Sequence, residues 1–125
     1  MILDTNALSA FADADEGLLP VLNGTPELYL PVIVLGEYRY GISNSRHHTR
    51  YAQWLARDLH LFRILDVSEP TSVHYAEIRS SLKRQGTPIP ANDCWIASLA
   101  KQYRLPVVSR DTHFDSVKGI RRIGW

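Results

Sequence analysis

Apolar positions in this chain gather into short runs, and between the runs they recur at helical spacing. Met1 to Leu3 is a run that stops at Asp4, and a short helical stretch follows from Ala7 to Phe11. Asp13, Asp15 and Glu16 open a second expected helix, ending near Leu22, because acids in a first turn favour the helix dipole. Asn23-Gly24-Thr25-Pro26 reads as a turn and Leu28 to Leu30 as a second strand. From Pro31 a strand end is expected to run into a helix carrying Val34, Leu35, Tyr38 and Ile42 at helical spacing. Ser43-Asn44-Ser45 links this to a helix over Arg46 to Leu59, with Tyr51, Leu55 and Leu59 on its apolar face. Phe62 to Leu65 is a third strand, followed by a turn at Asp66. Ser68 caps a helix from Glu69 to Gln85, with Pro70 early, Tyr75, Ile78 and Leu82 inward, and Gly86 at its end. After the stiff connector Thr87-Pro88-Ile89-Pro90, a helix opens at Ala91 and turns Ile96, Leu99, Ala100 and Tyr103 inward. Leu105 to Val108 is a fourth strand, Thr112 to Ser116 a turn of helix, and Ile120 to Ile123 a last strand.

Strands alternate with helices throughout. The expected architecture is therefore α/β, a three-layer α/β/α sandwich around a central, mainly parallel sheet of roughly five strands. The length of 125 residues suits one domain spanning 1–125, with a real core. No apolar run is long enough to cross a membrane, and Met1 leads into the first strand with no basic segment before it. No signal peptide is expected. The single cysteine, Cys94, suits a reducing cytoplasm and reads as a small buried residue. The net charge of +1 means that any nucleic-acid contact must use a local basic patch.

Four acids stand at the edges of apolar elements. Asp4 ends the first strand, Asp111 lies just past the fourth, and Glu37 and Asp93 sit in early helical turns. Each has an ordinary reading. Asp4 and Asp93 also suit helix caps, and Glu37 has Arg39 or a helix dipole as a partner. Parallel strands joined by right-handed crossovers, however, bring their C-terminal ends to one edge. Carboxylates crowded there repel unless a cation neutralises them. Oxygen donors without a His or Cys cluster favour Mg²⁺ or Mn²⁺. The adjacent His47 and His48 point in different directions on a helix and make a poor metal pair. The chemistry open to such a site is metal-assisted phosphodiester cleavage.

Four stretches carry a resemblance to a known family: Ile2-Leu3-Asp4-Thr5-Asn6, Val34 to Ile42, Asp93 to Ala100, and Val107 to Phe114. In this order and at this length the chain resembles a PIN domain, and within that superfamily the VapC-type ribonuclease toxins of toxin–antitoxin operons. The resemblance implies that Asp4, Glu37, Asp93 and Asp111 are the catalytic, metal-binding acids. It implies that Thr5 or Asn6 and Ser109 support them by hydrogen bonds, and that Asp115 is a further metal ligand, as in some members. Gly36 stands where the family often has Ala, which removes no ligand.

The implied activity is a Mg²⁺- or Mn²⁺-dependent endoribonuclease that cuts structured RNA such as tRNA or rRNA and so blocks translation. A water activated at the metal would attack phosphorus, leaving a 5′-phosphate and a 3′-hydroxyl. The implied partners are a second copy of the chain and a cognate VapB-type antitoxin. Arg39, Arg46, Arg50, Lys83 and Arg84 are the expected RNA phosphate contacts, with a solvated surface as the ordinary alternative. Tyr51 and Trp54 are expected either at a dimer or antitoxin interface or in the core. Two other readings stand beside this one. A PIN scaffold that binds RNA or protein without catalysis would need no metal site. A haloacid-dehalogenase-like phosphatase also begins with Asp after a strand, but wants an acid two residues on, where this chain has Asn6.

Overall fold

The opening run forms strand β1 (Ile2–Leu3), and both residues are fully buried because other strands flank it on each side. The computed structural model describes residues 1–125. Strands β2 (Leu28–Pro31), β3 (Phe62–Leu65), β4 (Val107–Val108) and β5 (Arg122–Ile123) complete one sheet in the order β3-β2-β1-β4-β5. All four pairings are parallel, so the expected mainly parallel sheet is wholly so. Ile2 lies opposite Tyr29 on one side and Val107 on the other.

Six α-helices cover the sheet: α1 (Thr5–Ala12), α2 (Leu19–Leu22), α3 (Val32–Ser43), α4 (His48–Asp58), α5 (Glu69–Gln85) and α6 (Ala91–Tyr103). Helices α1, α3 and α4 pack on one another, α5 packs along α6, and α3 meets α6. This is the α/β/α layering. Leu8, Leu18, Leu30, Val34, Ile96 and Leu99 are fully buried between the layers. Each contributes about 1.5–3 kcal/mol on removal from water. Helix α5 has the bounds its sequence signals imply. Gly86 closes it at φ 72°, a left-handed conformation that costs Gly little. Buried Thr71 donates from Oγ1 to Gln102 Oε1 at 2.6 Å, tying α5 to α6. Cys94 is buried, as expected, and no helix is long and apolar enough to cross a membrane.

Several expectations need correction, each for a local reason. The helix expected from Asp13 does not form there, because Asp15 Oδ1 accepts from Gly17 N and Leu18 N and makes a turn. Only Leu19–Leu22 is helical, with Pro20 in its first turn. Helix α1 begins at Thr5 rather than Ala7, since Asp4 caps it. Helix α4 begins at His48 rather than Arg46, because Ser45 Oγ accepts from His47 N and holds a preceding turn. It gives way to a 3₁₀ turn over Leu59–Leu61. Strand β4 excludes Leu105 and Pro106, whose ring has no N–H to give the ladder. Strand β5 starts after Gly119 at φ 87° and Ile120, not at Ile120 itself. Tyr103 is not inward but 45% exposed, in the last turn before left-handed Arg104. Trp54 takes the core option: its ring packs edge-on or tilted against Tyr38 and Phe11.

Candidate active site

Strand order reverses at β1, since β2 and β3 lie to one side of it and β4 and β5 to the other. In open α/β sheets a crevice forms at the C-terminal ends of the strands beside such a reversal. Asp4 follows β1, and Ser109 and Asp111 follow β4, so all three sit at that crevice. The two remaining acids, Glu37 and Asp93, come from α3 and the first turn of α6, which touch each other.

Asp4 is only 4% exposed and caps α1. Its Oδ1 accepts from Thr5 N at 2.7 Å, and its Oδ2 accepts from Ser109 Oγ at 2.7 Å and Asn6 Nδ2 at 3.1 Å. Four side chains then bridge the acids in a closed ring. Thr5, whose N–H meets Asp4, donates from Oγ1 to Glu37 Oε2 at 2.7 Å. Asn92 donates from Nδ2 to Glu37 Oε1 at 2.6 Å and precedes Asp93. His113 Nδ1 lies 3.0 Å from Asp93 Oδ2 and 3.0 Å from Asp111 Oδ1. Ser109 Oγ accepts from Asp111 N at 2.9 Å while donating to Asp4. The four expected acids, together with Thr5, Asn6 and Ser109, are therefore gathered at one place.

His113 is the one cationic side chain in contact with these four acids, and it offsets their charge only in part. Burial pushes the Asp4 carboxyl above its ordinary range, and the neighbouring Asp93 and Glu37 charges add to the rise against the bonds from Ser109 and Thr5. Burial also raises Asp93, with Asp111 and Glu37 adding to it and His113 opposing. The bond to Asp93 raises the His113 imidazole in turn. Asn6 donates to Asp4 and to Ser109 Oγ, and its Oδ1 accepts from Arg110 N at 3.1 Å. Both Asp4 oxygens are engaged, and no second acid stands two residues on. That arrangement does not suit a phosphoaspartate-forming phosphatase.

Asp115 does not join this ring and pairs beside it. Arg122 grips both its oxygens, at 2.8 and 3.0 Å, and holds the carboxyl below its usual range. The same guanidinium donates to Ser109 O at 3.0 Å. The sequence reading missed three residues here. Asn92 was hidden as a helix-start residue beside Asp93, His113 as an unremarked member of the fourth stretch, and Arg122 as a base in the last strand.

The expected RNA contacts are dispersed. Arg39 and Arg46 are exposed, and Arg50 donates to Tyr51 Oη and lies over that ring. Lys83 and Arg84 close α5. Lys83 lines a surface groove of about 530 Å³ with Arg79, Ile89 and Cys94, the residue after Asp93.

The PIN domain family matches residues 1–120. Toxin FitB of Neisseria gonorrhoeae is 36% identical, over 90% of this chain and 88% of its own length. The tRNA(fMet)-specific endonuclease VapC of Salmonella typhimurium is 28% identical, over 99% of this chain and 96% of its own. The crystal structure of DNA-bound VapBC from Salmonella typhimurium contains a chain that superposes with a TM-score of 0.88, at 28% identity, covering 99% of this chain and 96% of that one. The chain belongs to the PIN domain family.

Proposed function

We propose that this chain, a single PIN domain over 1–125, is a metal-dependent endoribonuclease and the toxin of a type II toxin–antitoxin pair. The closed ring through Thr5, Asn92, His113 and Ser109 carries the reading, because it assembles four acids from four distant segments around one negative pocket. The donor set fits a divalent cation. Burying carboxylates side by side costs several kcal/mol each without an offsetting charge, and nearby Arg122 is already committed to Asp115.

Asp4, Glu37, Asp93 and Asp111 would hold Mg²⁺ or Mn²⁺. The ion supplies the charge that offsets them and the polarisation of water and phosphate needed for hydrolysis. The protein's own groups set the geometry. Ser109 and Asn6 fix Asp4 Oδ2, Thr5 N fixes Asp4 Oδ1, Thr5 Oγ1 and Asn92 fix the Glu37 oxygens, and the backbone N–H of His113 fixes Asp111 Oδ1 at 2.9 Å. Ligands held this way need no reorganisation when substrate arrives. Lys83 and Arg79, which line a groove with Cys94, the residue after Asp93, are the candidates for RNA phosphate contacts.

Relatives named as a toxin and as a tRNA(fMet)-specific endonuclease support structured RNA, tRNA above all, as the substrate class. The VapBC and FitAB complexes among its structural neighbours support a VapB-type antitoxin as partner, and a homodimer in the cytoplasm is the working form that we propose with it. Incubating the purified chain with tRNA and Mn²⁺ tests the reading. Cleavage is expected, and it should vanish with chelator and with Asp93→Asn. Cleavage that survives both would overturn it.

A further inference from the structure

His113 stands outside the four acids, yet it touches two of them. Its Nδ1 is 3.0 Å from Asp93 Oδ2 and 3.0 Å from Asp111 Oδ1, and all three donor atoms lie within 4.8 Å of one another. A hydrogen bond accounts for one of these contacts only. A ring nitrogen carries at most one proton, which points in one direction. The Asp93 contact has hydrogen-bond geometry, whereas the Asp111 oxygen, at the same distance, instead accepts from the backbone N–H of His113. Two carboxylates thus converge on a single nitrogen that can satisfy one. Donors about 2.1 Å from an octahedral ion stand about 3.0 Å apart along each edge. The two edges that meet at His113 Nδ1 have that spacing here, and the third lies within 4.8 Å.

The placement is built rather than incidental. Asp111 caps the 3₁₀ turn that carries His113, so one short turn orients both donors. Phe114, 1% exposed, anchors that turn in the core. The imidazole is 47% exposed and leaves the site open to solvent. No other histidine approaches these acids: His74 lies against Glu77, and His48 and His60 bond backbone carbonyls of their own segments.

We infer that His113 is a nitrogen ligand which joins Asp93 and Asp111 around one divalent ion, so that the site prefers a first-row transition ion to Mg²⁺. Imidazole donors suit transition ions, while Mg²⁺ favours oxygen alone. The inference rests on the proposed metal-dependent reading and adds to it a ligand and a metal preference.

Pulsed electron paramagnetic resonance of Mn²⁺ bound to the whole chain tests it without reference to cleavage. Wild type should show coupling to a directly bound nitrogen, and the coupling should change when histidine is labelled with ¹⁵N. His113→Ala should abolish it and weaken Mn²⁺ binding about 10- to 100-fold by calorimetry, while Mg²⁺ affinity changes far less. The isotope arm needs no variant, so a misfolded His113→Ala leaves the test intact. Mn²⁺ that binds in an Asp93-dependent way with no histidine coupling would overturn the inference and leave the metal-dependent reading standing, with His113 as a hydrogen-bonded counter-charge only. Absence of any Asp93-dependent Mn²⁺ binding would overturn both.

Discussion

Ser109 Oγ donates to Asp4 Oδ2 at 2.7 Å across 105 positions of chain, and both residues are buried. This bond joins the ends of β1 and β4 at the strand reversal. A hydrogen bond to a buried charge contributes about 1.5–3 kcal/mol, so Ser109→Ala should lower stability by that order. It should also push the Asp4 carboxyl further up, since Ser109 is the largest influence holding it down. Denaturant titration and Mn²⁺ calorimetry check both effects. An unchanged midpoint with unchanged metal affinity would show that the bond is idle.

Asp4→Asn, Glu37→Gln and Asp93→Asn should each remove cleavage while leaving a folded protein. Circular dichroism with a tRNA cleavage assay, or growth on induction, reads the result. A Glu37→Gln protein that cuts at the wild-type rate would take Glu37 out of the site.

Without metal, buried Asp4 and half-buried Asp93 set a definite pH trend. Asp4 and Asp93 both have folded values raised above the ordinary 3.8. The native state then holds their protons more tightly than the unfolded chain. Their contribution to stability is fully present below 3.8 and is lost as pH rises through the raised values. Asp93→Asn should therefore be more stable than wild type at neutral pH in chelator, with the gap closing on acidification. Saturating Mn²⁺ should reverse the order, adding about 2.7 kcal/mol to wild type at one hundred times Kd. Melting curves with and without Mn²⁺ at two pH values decide it. A variant less stable than wild type at neutral pH would mean that Asp93 serves the fold first.

The Asp115–Arg122 pair predicts a split between stability and metal binding. Arg122 ties Asp115 to the carbonyl of Ser109, and Gly124 leaves no room for a Cβ against the guanidinium. Arg122→Ala should lower Tm by a few degrees, whereas Asp115→Asn should leave Mn²⁺ affinity unchanged. A tenfold loss of affinity in Asp115→Asn would make it a ligand after all.

Lys83→Ala, in the groove with Arg79, should weaken tRNA binding without touching the metal. Measured in an Asp93→Asn background, the slope of log K against log salt should fall by about 0.7–0.9, one phosphate contact. An unchanged slope would place the RNA elsewhere.

The strand–helix alternation and the acids at element edges could be read from residues alone because both rest on local periodicity and on where parallel strands must end. Helix α5 shows this best, with its Ser68 start and its Gly86 stop. What escaped the reading depends on partners distant in sequence or on side chains competing with backbone. Asp15 broke an expected helix through its own Oδ1. Asp115, expected as a further ligand one turn past Asp111, pairs with Arg122 from another strand, a partner that no local pattern announces. Asn92 and His113 acquire roles only once α3, α6 and the last 3₁₀ turn are brought together.

Strand β1 holds the middle of the sheet, yet its neighbour β4 is translated only after β2 and β3. Asp4 is translated before Ser109, Asp111 and His113, so the ring of hydrogen bonds around it cannot close until they follow. A ribosome halted before β4 therefore yields a chain without Ser109, Asp111 and His113, in which the ring cannot form at all.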